Sequence, residues 1–290
     1  MRTYAADRPR APRWLAIVLL LATMGSGRID AAAAPVQVPA KGQSPIVDRV
    51  RARGTLRAGV NVALPWLGQN PKTGEFYGPS VELGQEIGRV LGVKMELIPS
   101  ASDVIIAGIQ ANQFDLAIAP LYATERRKQV VDFVTYATAG HCYAVRKDNH
   151  RINSLEDLNQ ASVTVGLWTG TGSDRPFRGK YPKATVNAIP MPVGGVTRME
   201  EVMAGRIDVA TLDSARALLV DRQFPQLKIL PGGPENCMKH PDIPTPLGMA
   251  VPKGDLAFRT FLEGVVASIQ TQLNASIVKH SSLESMLSAR

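Results

Sequence analysis

The chain has 290 residues, 45 % of them hydrophobic and 20 % charged. That balance suits one large or two medium hydrophobic cores and excludes a disordered, charge-dominated chain. The formal charge is +8, but Arg2, Arg8, Arg10, Arg13 and Arg28, set against Asp7 and Asp30, leave the chain beyond residue 34 near +5. Its remaining Lys and Arg are scattered, so the basicity carries no nucleic-acid footprint.

Residues 1–34 do not read as part of a fold. Four arginines precede an apolar run over 14–24, and the small residues 31–34 follow. This is the layout of a secretory signal peptide with an Ala-x-Ala-type cleavage site near Ala34. The apolar run is about half of the ~20 residues that a bilayer core requires, which makes a membrane anchor the weaker alternative. No cysteine follows it to carry a lipid. The expectation is an exported, periplasmic chain. In an oxidising compartment a disulfide between Cys142 and Cys237 is expected, with two buried thiols as the alternative.

Residues 35–50, rich in Pro and Ala, read as a loose lead-in. Strands are predicted at 54–61, 75–77 and 93–98. A helix is predicted over 81–91, where Val81, Leu83, Ile87, Val90 and Leu91 recur at helical spacing before Gly92. Ser102 and Asp103 are placed to cap a helix carrying Val104, Ile105 and Ile109. Residues 114–136 then read as a buried strand (115–119), a tight turn, a short basic helix capped by Thr124 and a hydrophobic return through Phe133. A second run follows, with strands at 142–145, 163–167, 185–189, 207–212 and 227–230. Its helices are opened by Ser154, by residues 170–173, by Gly194 and Gly195, and by Ser214. A loop over 231–246, a strand over 248–251, an amphipathic helix over 258–273 and a terminal helix over 281–290 complete the reading. Repeated β-α-β units imply mainly parallel sheets covered by helices.

Several residues stand where chemistry is expected. Arg126, Arg127 and Lys128 follow the carboxyl end of a strand, the edge where open α/β sheets bind ligands. A guanidinium there can hold a carboxylate by two parallel hydrogen bonds; the alternative is a solvated helix face. Residues 170–173 (Gly-Thr-Gly-Ser) resemble half of a dinucleotide loop, but Arg175 stands where a third glycine belongs. They are either a helix start open to an anion or a plain turn. Asp213 either caps a helix or faces the cleft to neutralise an ammonium group. Trp66 is either a core aromatic or a lid on the ligand. His141 and Cys142 are neighbours on a strand and point to opposite faces, which argues against a nucleophile pair. Hydrolase signatures, a P-loop and metal-ligand spacings are missing from the sequence, and no cofactor or metal is expected.

Six short segments occur in a recognisable order: Gly54-Thr-Leu-Arg-Ala-Gly-Val; Gly78 with Val81-Glu-Leu and the helix to Leu91-Gly-Val; Phe114-Asp-Leu-Ala-Ile-Ala; Thr124-Glu-Arg-Arg with Val131-Asp-Phe; Val165-Gly-Leu-Trp-Thr-Gly-Thr; and Gly205-Arg-Ile-Asp-Val-Ala-Thr-Leu-Asp. With them the chain resembles the extracellular solute-binding proteins of the polar-amino-acid type, which serve ABC importers. The resemblance covers roughly residues 54–275. It implies an α/β, two-lobed periplasmic-binding-protein-like fold, each lobe a mainly parallel sheet flanked by helices, joined by two hinge strands near 137–142 and 244–248. The divisions expected are a signal peptide (1–34), a lead-in (35–50), lobe 1 (51–138 and 246–290) and lobe 2 (139–245). The implied partners are a small amino acid or related carboxylate and the membrane permease of an ABC importer, with no nucleic acid.

Carried over residue by residue, Arg127 matches the arginine that binds the ligand's α-carboxylate and Asp213 the acid that takes its ammonium. Thr171 and Gly172 match the helix start that meets the carboxylate from the second lobe. A hydroxyl residue is usual in place of Gly172, and Ser173 is the possible substitute. Trp66 matches an aromatic that stacks on the ligand, and Asn61 a variable side-chain selector. Residues 119–122 (Ala-Pro-Leu-Tyr) depart from the pattern, because Pro120 has no N–H to offer and Tyr122 fills space. Two other functions stay open. One is a cyclohexadienyl-type dehydratase on the same fold, with Glu82, Asp174 and Glu200 as candidate acid–base groups. The other is a binding subunit serving a redox or receptor partner.

Overall fold

The computed structural model describes residues 36–101, 104–168, 172–189 and 197–281. The expected signal peptide, the Ser102–Asp103 cap, Thr171, the Gly194–Gly195 turn and nearly all of the expected terminal helix lie outside them.

The lead-in is more ordered than its composition suggests. Pro45–Arg53 forms helix α1, whose first turn is capped by Ser44 accepting from the Val47 N–H, with Pro45 at the first helical position. Gly54 ends it in the left-handed conformation at φ 72°. Ile46, Val47 and Val50 are buried in the large core, and the Ser44 hydroxyl donates to Asp255 at 2.7 Å, tying the lead-in to the start of the last helix. The expected loose segment is therefore part of the fold.

Strand β1 (Thr55–Val60) leads into a two-stranded ribbon of β2 (Gly68–Gln69) and β3 (Phe76–Tyr77). Then come α2 (Pro79–Leu91), β4 (Lys94–Pro99), α3 (Ile105–Gln110) and β5 (Leu116–Tyr122). β4, β1 and β5 lie side by side and parallel. β5 runs on through Pro120 to Tyr122 where a tight turn was expected after Ala119. Pro120 is tolerated because it falls beside a register irregularity between Gly248 and Ala250 on the neighbouring strand, where no ladder N–H is required.

After the short helix α4 (Glu125–Lys128), strand β6 runs unbroken from Val131–Arg146. Its 16 residues span about 50 Å at the rise of an extended strand. The second half holds β7 (Thr164–Trp168), α5 (Asp174–Lys180), β8 (Thr185–Ile189), α6 (Thr197–Met203) and β9 (Val209–Asp213). It continues with α7 (Ala217–Gln223), β10 (Leu227–Leu230) and α8 (Pro234–Lys239). β9, β7 and β8 are again parallel neighbours. The chain returns through β11 (Asp242–Pro252) and ends, among the described residues, in α9 (Leu256–His280). The segment expected as a loop over 231–246 thus contains α8 and the first residues of β11.

The described strands order as β4-β1-β5-β11-β6-β9-β7-β8, with β10 on the free side of β6. Two parallel blocks are joined by the antiparallel pair β6–β11, which pairs residues 131–141 of one strand with 242–252 of the other. Apolar burial follows the same division. Leu56, Ile87, Tyr136, Met249 and Phe258 share one cluster, while Cys142, Ala144, Val202, Leu212 and Ile229 share another. β6 contributes to both. The architecture is a two-lobed α/β fold whose parallel sheets are flanked by helices. Cys142 and Cys237 form a disulfide across 95 residues, with Cα atoms 5.9 Å apart, inside the second of these clusters.

Candidate functional site

Two pairs of parallel strands, β1 with β5 and β7 with β9, run in opposite directions and bring carboxyl ends together, the Tyr122 hydroxyl at the end of β5 meeting Asp213 at the end of β9. β1 ends before Asn61, β5 at Tyr122, β7 at Trp168 and β9 at Asp213. Carboxyl ends of parallel strands leave backbone and side chains unpaired by the sheet, which is why α/β folds bind ligands there.

At the end of β5, Thr124 caps α4 and accepts from the Arg127 N–H at 3.4 Å. That fixes the start of the turn and directs Arg127 back toward the strand, where its Nη1 donates to the Tyr122 carbonyl at 3.0 Å. Arg127 is half-buried, and burial lowers its pKa from the usual arginine range. Among the described residues no carboxylate forms an ion pair with it. Arg126 and Lys128 are exposed, and Lys128 pairs with Glu125 at 2.8 Å.

Asp213 closes β9 and caps the 3-10 turn Ser214–Arg216 by accepting from the Ala215 N–H at 2.9 Å. Its other oxygen accepts from the Tyr122 hydroxyl at 2.6 Å. Desolvation raises the Asp213 pKa above the usual carboxylate range. Tyr122, the Ala215 N–H, the Arg216 charge and the Trp66 indole act in the opposite sense without cancelling it. Burial together with Asp213 holds the Tyr122 phenol well above its ordinary range, so it stays a donor. Asp213 is thus the cap, and its second oxygen is taken by the Tyr122 hydroxyl.

Trp66 is 4 % exposed and packs edge-on against Tyr136 with ring centres 6.1 Å apart. It is a core aromatic whose indole nitrogen reaches toward Asp213. Asn61 is partly exposed at the end of β1. Gly172 and Ser173 open α5, and the Ser173 side chain makes no cap hydrogen bond.

Two further arginines were not anticipated. Arg198, in the first turn of α6, is 6 % exposed; it lies 4.0 Å from the centre of the Trp168 ring and donates to Thr211 Oγ1 at 2.5 Å. Thr211 donates onward to the Gly166 carbonyl at 3.0 Å. Desolvation pushes the Arg198 pKa well down, the Arg216 charge pushes it the same way, and the Tyr122 phenol counters them. Arg216 follows Asp213 by three residues; burial lowers its pKa and Asp213 opposes this. Neither has an ion-pair partner among the described residues, and the Nε of each is buried without an acceptor. A cation in the first turn of a helix opposes the helix dipole, and that was the signal available in the sequence.

The remaining candidates are paired with other side chains or exposed. Glu82 accepts from Ser276 at 2.8 Å, Asp174 pairs with Arg178 at 2.6 Å, and Glu200 is exposed. An open depression of about 450 Å³, lined by Arg146, Asp148, Arg151 and Asp208 among others, sits at the opposite end of β9 from Asp213. Its charges are already paired, Arg146 with Asp148 and Arg151 with Asp208.

Residues 56–279 match the bacterial extracellular solute-binding proteins, family 3. The L-cystine-binding protein TcyJ of Escherichia coli is 29 % identical over 175 residues, 60 % of this chain; that match spans only 64 % of TcyJ, under two thirds of its length. A glutamine-binding protein of Geobacillus stearothermophilus is 30 % identical over 189 residues, 63 % of this chain and 70 % of that protein. Among solved structures, the ancestral amino acid-binding protein AncCDT-1, a precursor of cyclohexadienyl dehydratase, superposes with a TM-score of 0.67 at 28 % identity, covering 81 % of this chain and 96 % of that one. The chain belongs to the bacterial extracellular solute-binding proteins, family 3.

Proposed function

We propose that the protein is a periplasmic receptor that closes its two lobes around a small amino-acid-like solute and delivers it to the permease of an ABC importer. The observation that carries the reading is Arg127. It is a half-buried guanidinium at the carboxyl end of β5, held by Thr124 and the Tyr122 carbonyl, with no carboxylate of its own among the described residues. A desolvated cation of this kind is stabilised by a ligand carboxylate, and a planar fork offers that carboxylate two parallel hydrogen bonds. Asp213, at the end of β9, accepts from the hydroxyl of the same Tyr122. The N–H groups at Gly172 and Ser173, with Thr171, complete the carboxylate site in this account, and Asn61 borders the ligand's side chain. Residues 1–34 act as the export signal, and the lobes divide at 138/139 and 245/246, where β6 and β11 cross.

Calorimetric titration of the ligand-stripped protein with a panel of amino acids and related carboxylates tests this. Saturable binding of at least one carboxylate, accompanied by stabilisation against heat, is expected. If no carboxylate in the panel binds and substrate-like cyclohexadienyl acids are turned over instead, the protein is an enzyme and the reading fails.

A further inference from the structure

The cleft carries more positive charge than its own residues balance. Arg127, Arg198 and Arg216 supply three guanidinium groups, and among the described residues Asp213 is the acid that acts on one of them, Arg216. Both oxygens of Asp213 are already engaged, one by the Tyr122 hydroxyl at 2.6 Å and the other by the Ala215 N–H at 2.9 Å.

Arg198 makes the excess hard to dismiss as surface charge. It is 6 % exposed, its face rests on Trp168, and among the described residues its Nη1 meets only the neutral Thr211 hydroxyl and its buried Nε has no acceptor. The sequence segments outside the described residues next to Trp168 and Arg198, 169–171 and 190–196, contain no acidic residue. Arg216 acts on Arg198 with the same sign and also keeps a buried Nε without an acceptor. Buried charge of one sign is costly unless an opposite charge meets it, and here that charge must come with the ligand. Tyr122 links the three arginines: Arg127 donates to its carbonyl, its hydroxyl donates to Asp213, which acts on Arg216, and Arg198 acts on its phenol.

We propose that the cleft selects a small dicarboxylate, holding one carboxylate at Arg127 and the second at Arg198 and Arg216, and that an amino group on the ligand is dispensable. The proposal rests on the solute-binding reading above and deepens it. A zwitterion adds no net charge and leaves the cleft two charges in excess, whereas a dicarboxylate cancels both. Tyr122 already occupies the oxygen of Asp213 that an ammonium group needs, so the amino group has little left to gain.

The test is a calorimetric series on the full chain expressed with its own N-terminal segment, stripped of ligand by denaturation and refolding. Succinate, glutarate and glutamate are compared with glutamine, leucine and arginine. At least one dicarboxylate binds tenfold or more tightly than glutamine, and removing the amino group (glutarate against glutamate) changes affinity by less than tenfold. Arg198→Met and Arg216→Met each weaken the dicarboxylate at least tenfold. Should either variant fail to fold, the ranking on the parent protein decides alone. Tighter binding of glutamine, leucine or arginine than of every dicarboxylate overturns this proposal and leaves the solute-binding reading standing. Binding of none of the six overturns both.

Discussion

Gly172 is packed against the side chains of Tyr122 and Thr124. A Cβ added at Gly172 would lie 3.0 Å from the Tyr122 Cβ and 3.0 Å from the Thr124 Cγ2, closer than side-chain carbons normally approach. The loop opening α5 therefore meets the end of β5 with no room for a side chain. Tyr122 and Gly172 are two of the places, with Pro120, where the sequence leaves the pattern of the proteins it resembles, and the structure brings them together: the side chains of Tyr122 and Thr124 take the space that a side chain at 172 would use.

This contact predicts coupling between the two positions. Gly172→Ser alone forces the loop away from Tyr122 and weakens ligand binding by roughly tenfold, the scale of a modest overpacking penalty. Combining it with Tyr122→Gly, which removes the opposing Cβ, restores part of the loss. A double-mutant cycle by calorimetry reads the coupling directly; strictly additive effects contradict the contact.

Tyr122→Phe removes the donor to Asp213 and leaves a desolvated carboxylate one partner short. The expected loss is about 1–3 kcal/mol of unfolding free energy at neutral pH, measured by urea denaturation. Asp213 is raised in the folded protein already, chiefly by desolvation, and losing Tyr122 raises it further. A group whose folded pKa exceeds its unfolded one favours the folded state as pH falls through the folded pKa. The deficit of Tyr122→Phe against the parent therefore shrinks on acidification.

His141 supplies a separate acid-sensitive element where β6 meets β9 and β11. It is 4 % exposed and rests edge-on against Tyr143, and desolvation brings its pKa down to about 4 despite the opposing field of Asp242. Between the usual histidine value near 6.5 and about 4 the unfolded chain holds a proton that the folded chain refuses, so stability falls as pH drops through that window. The fall amounts to about 3 kcal/mol. Burial raises Asp242, but hydrogen bonds from Lys180, Tyr143 and Tyr181 outweigh it and hold the carboxyl below its usual range. Its contribution is therefore present above the unfolded carboxylate pKa and lost at lower pH than the histidine window. His141→Gln flattens the urea-midpoint profile between pH 6.5 and 4 while leaving the more acidic limb; an unchanged profile counts against the assignment.

The disulfide joins β6 to α8 within one lobe. For a loop of 95 residues the chain-entropy account assigns it about 4.7 kcal/mol. The double variant Cys142→Ala/Cys237→Ala should lose about that much in unfolding free energy while keeping ligand affinity within a few-fold, since the bridge lies in the core behind the cleft.

What was legible in the sequence followed local rules. The 3.6-residue spacing of Val81, Leu83, Ile87 and Leu91 and the stop at Gly92 recur in α2, and Thr124 caps α4 as its hydroxyl allows. The Ser44–Pro45 start of α1 was equally local, but a Pro- and Ala-rich neighbourhood obscured it. The continuity of β6 was not local. Residues 137–142 lack a clean alternation because they cross between two cores, and Gly140 is set by the Asp242 carbonyl, which would lie 2.6 Å from any Cβ there. Arg198 and Arg216 escaped notice because their weight comes from burial and from missing partners, which only the assembled cleft defines. The choice of Arg127 over Arg126 came from the resemblance; the two differ in the fold as half-buried against exposed.

That pair of neighbours offers the most direct test of the central claim that Arg127 anchors a ligand carboxylate. Dissociation constants of the best-binding carboxylate are measured for the parent, Arg127→Ala and Arg126→Ala. The account predicts at least a hundredfold loss for Arg127→Ala, within the roughly 2–5 kcal/mol of a truncated buried charge pair, and no more than about a twofold change for Arg126→Ala. Parent-like binding by Arg127→Ala, or an equal loss in both variants, contradicts it.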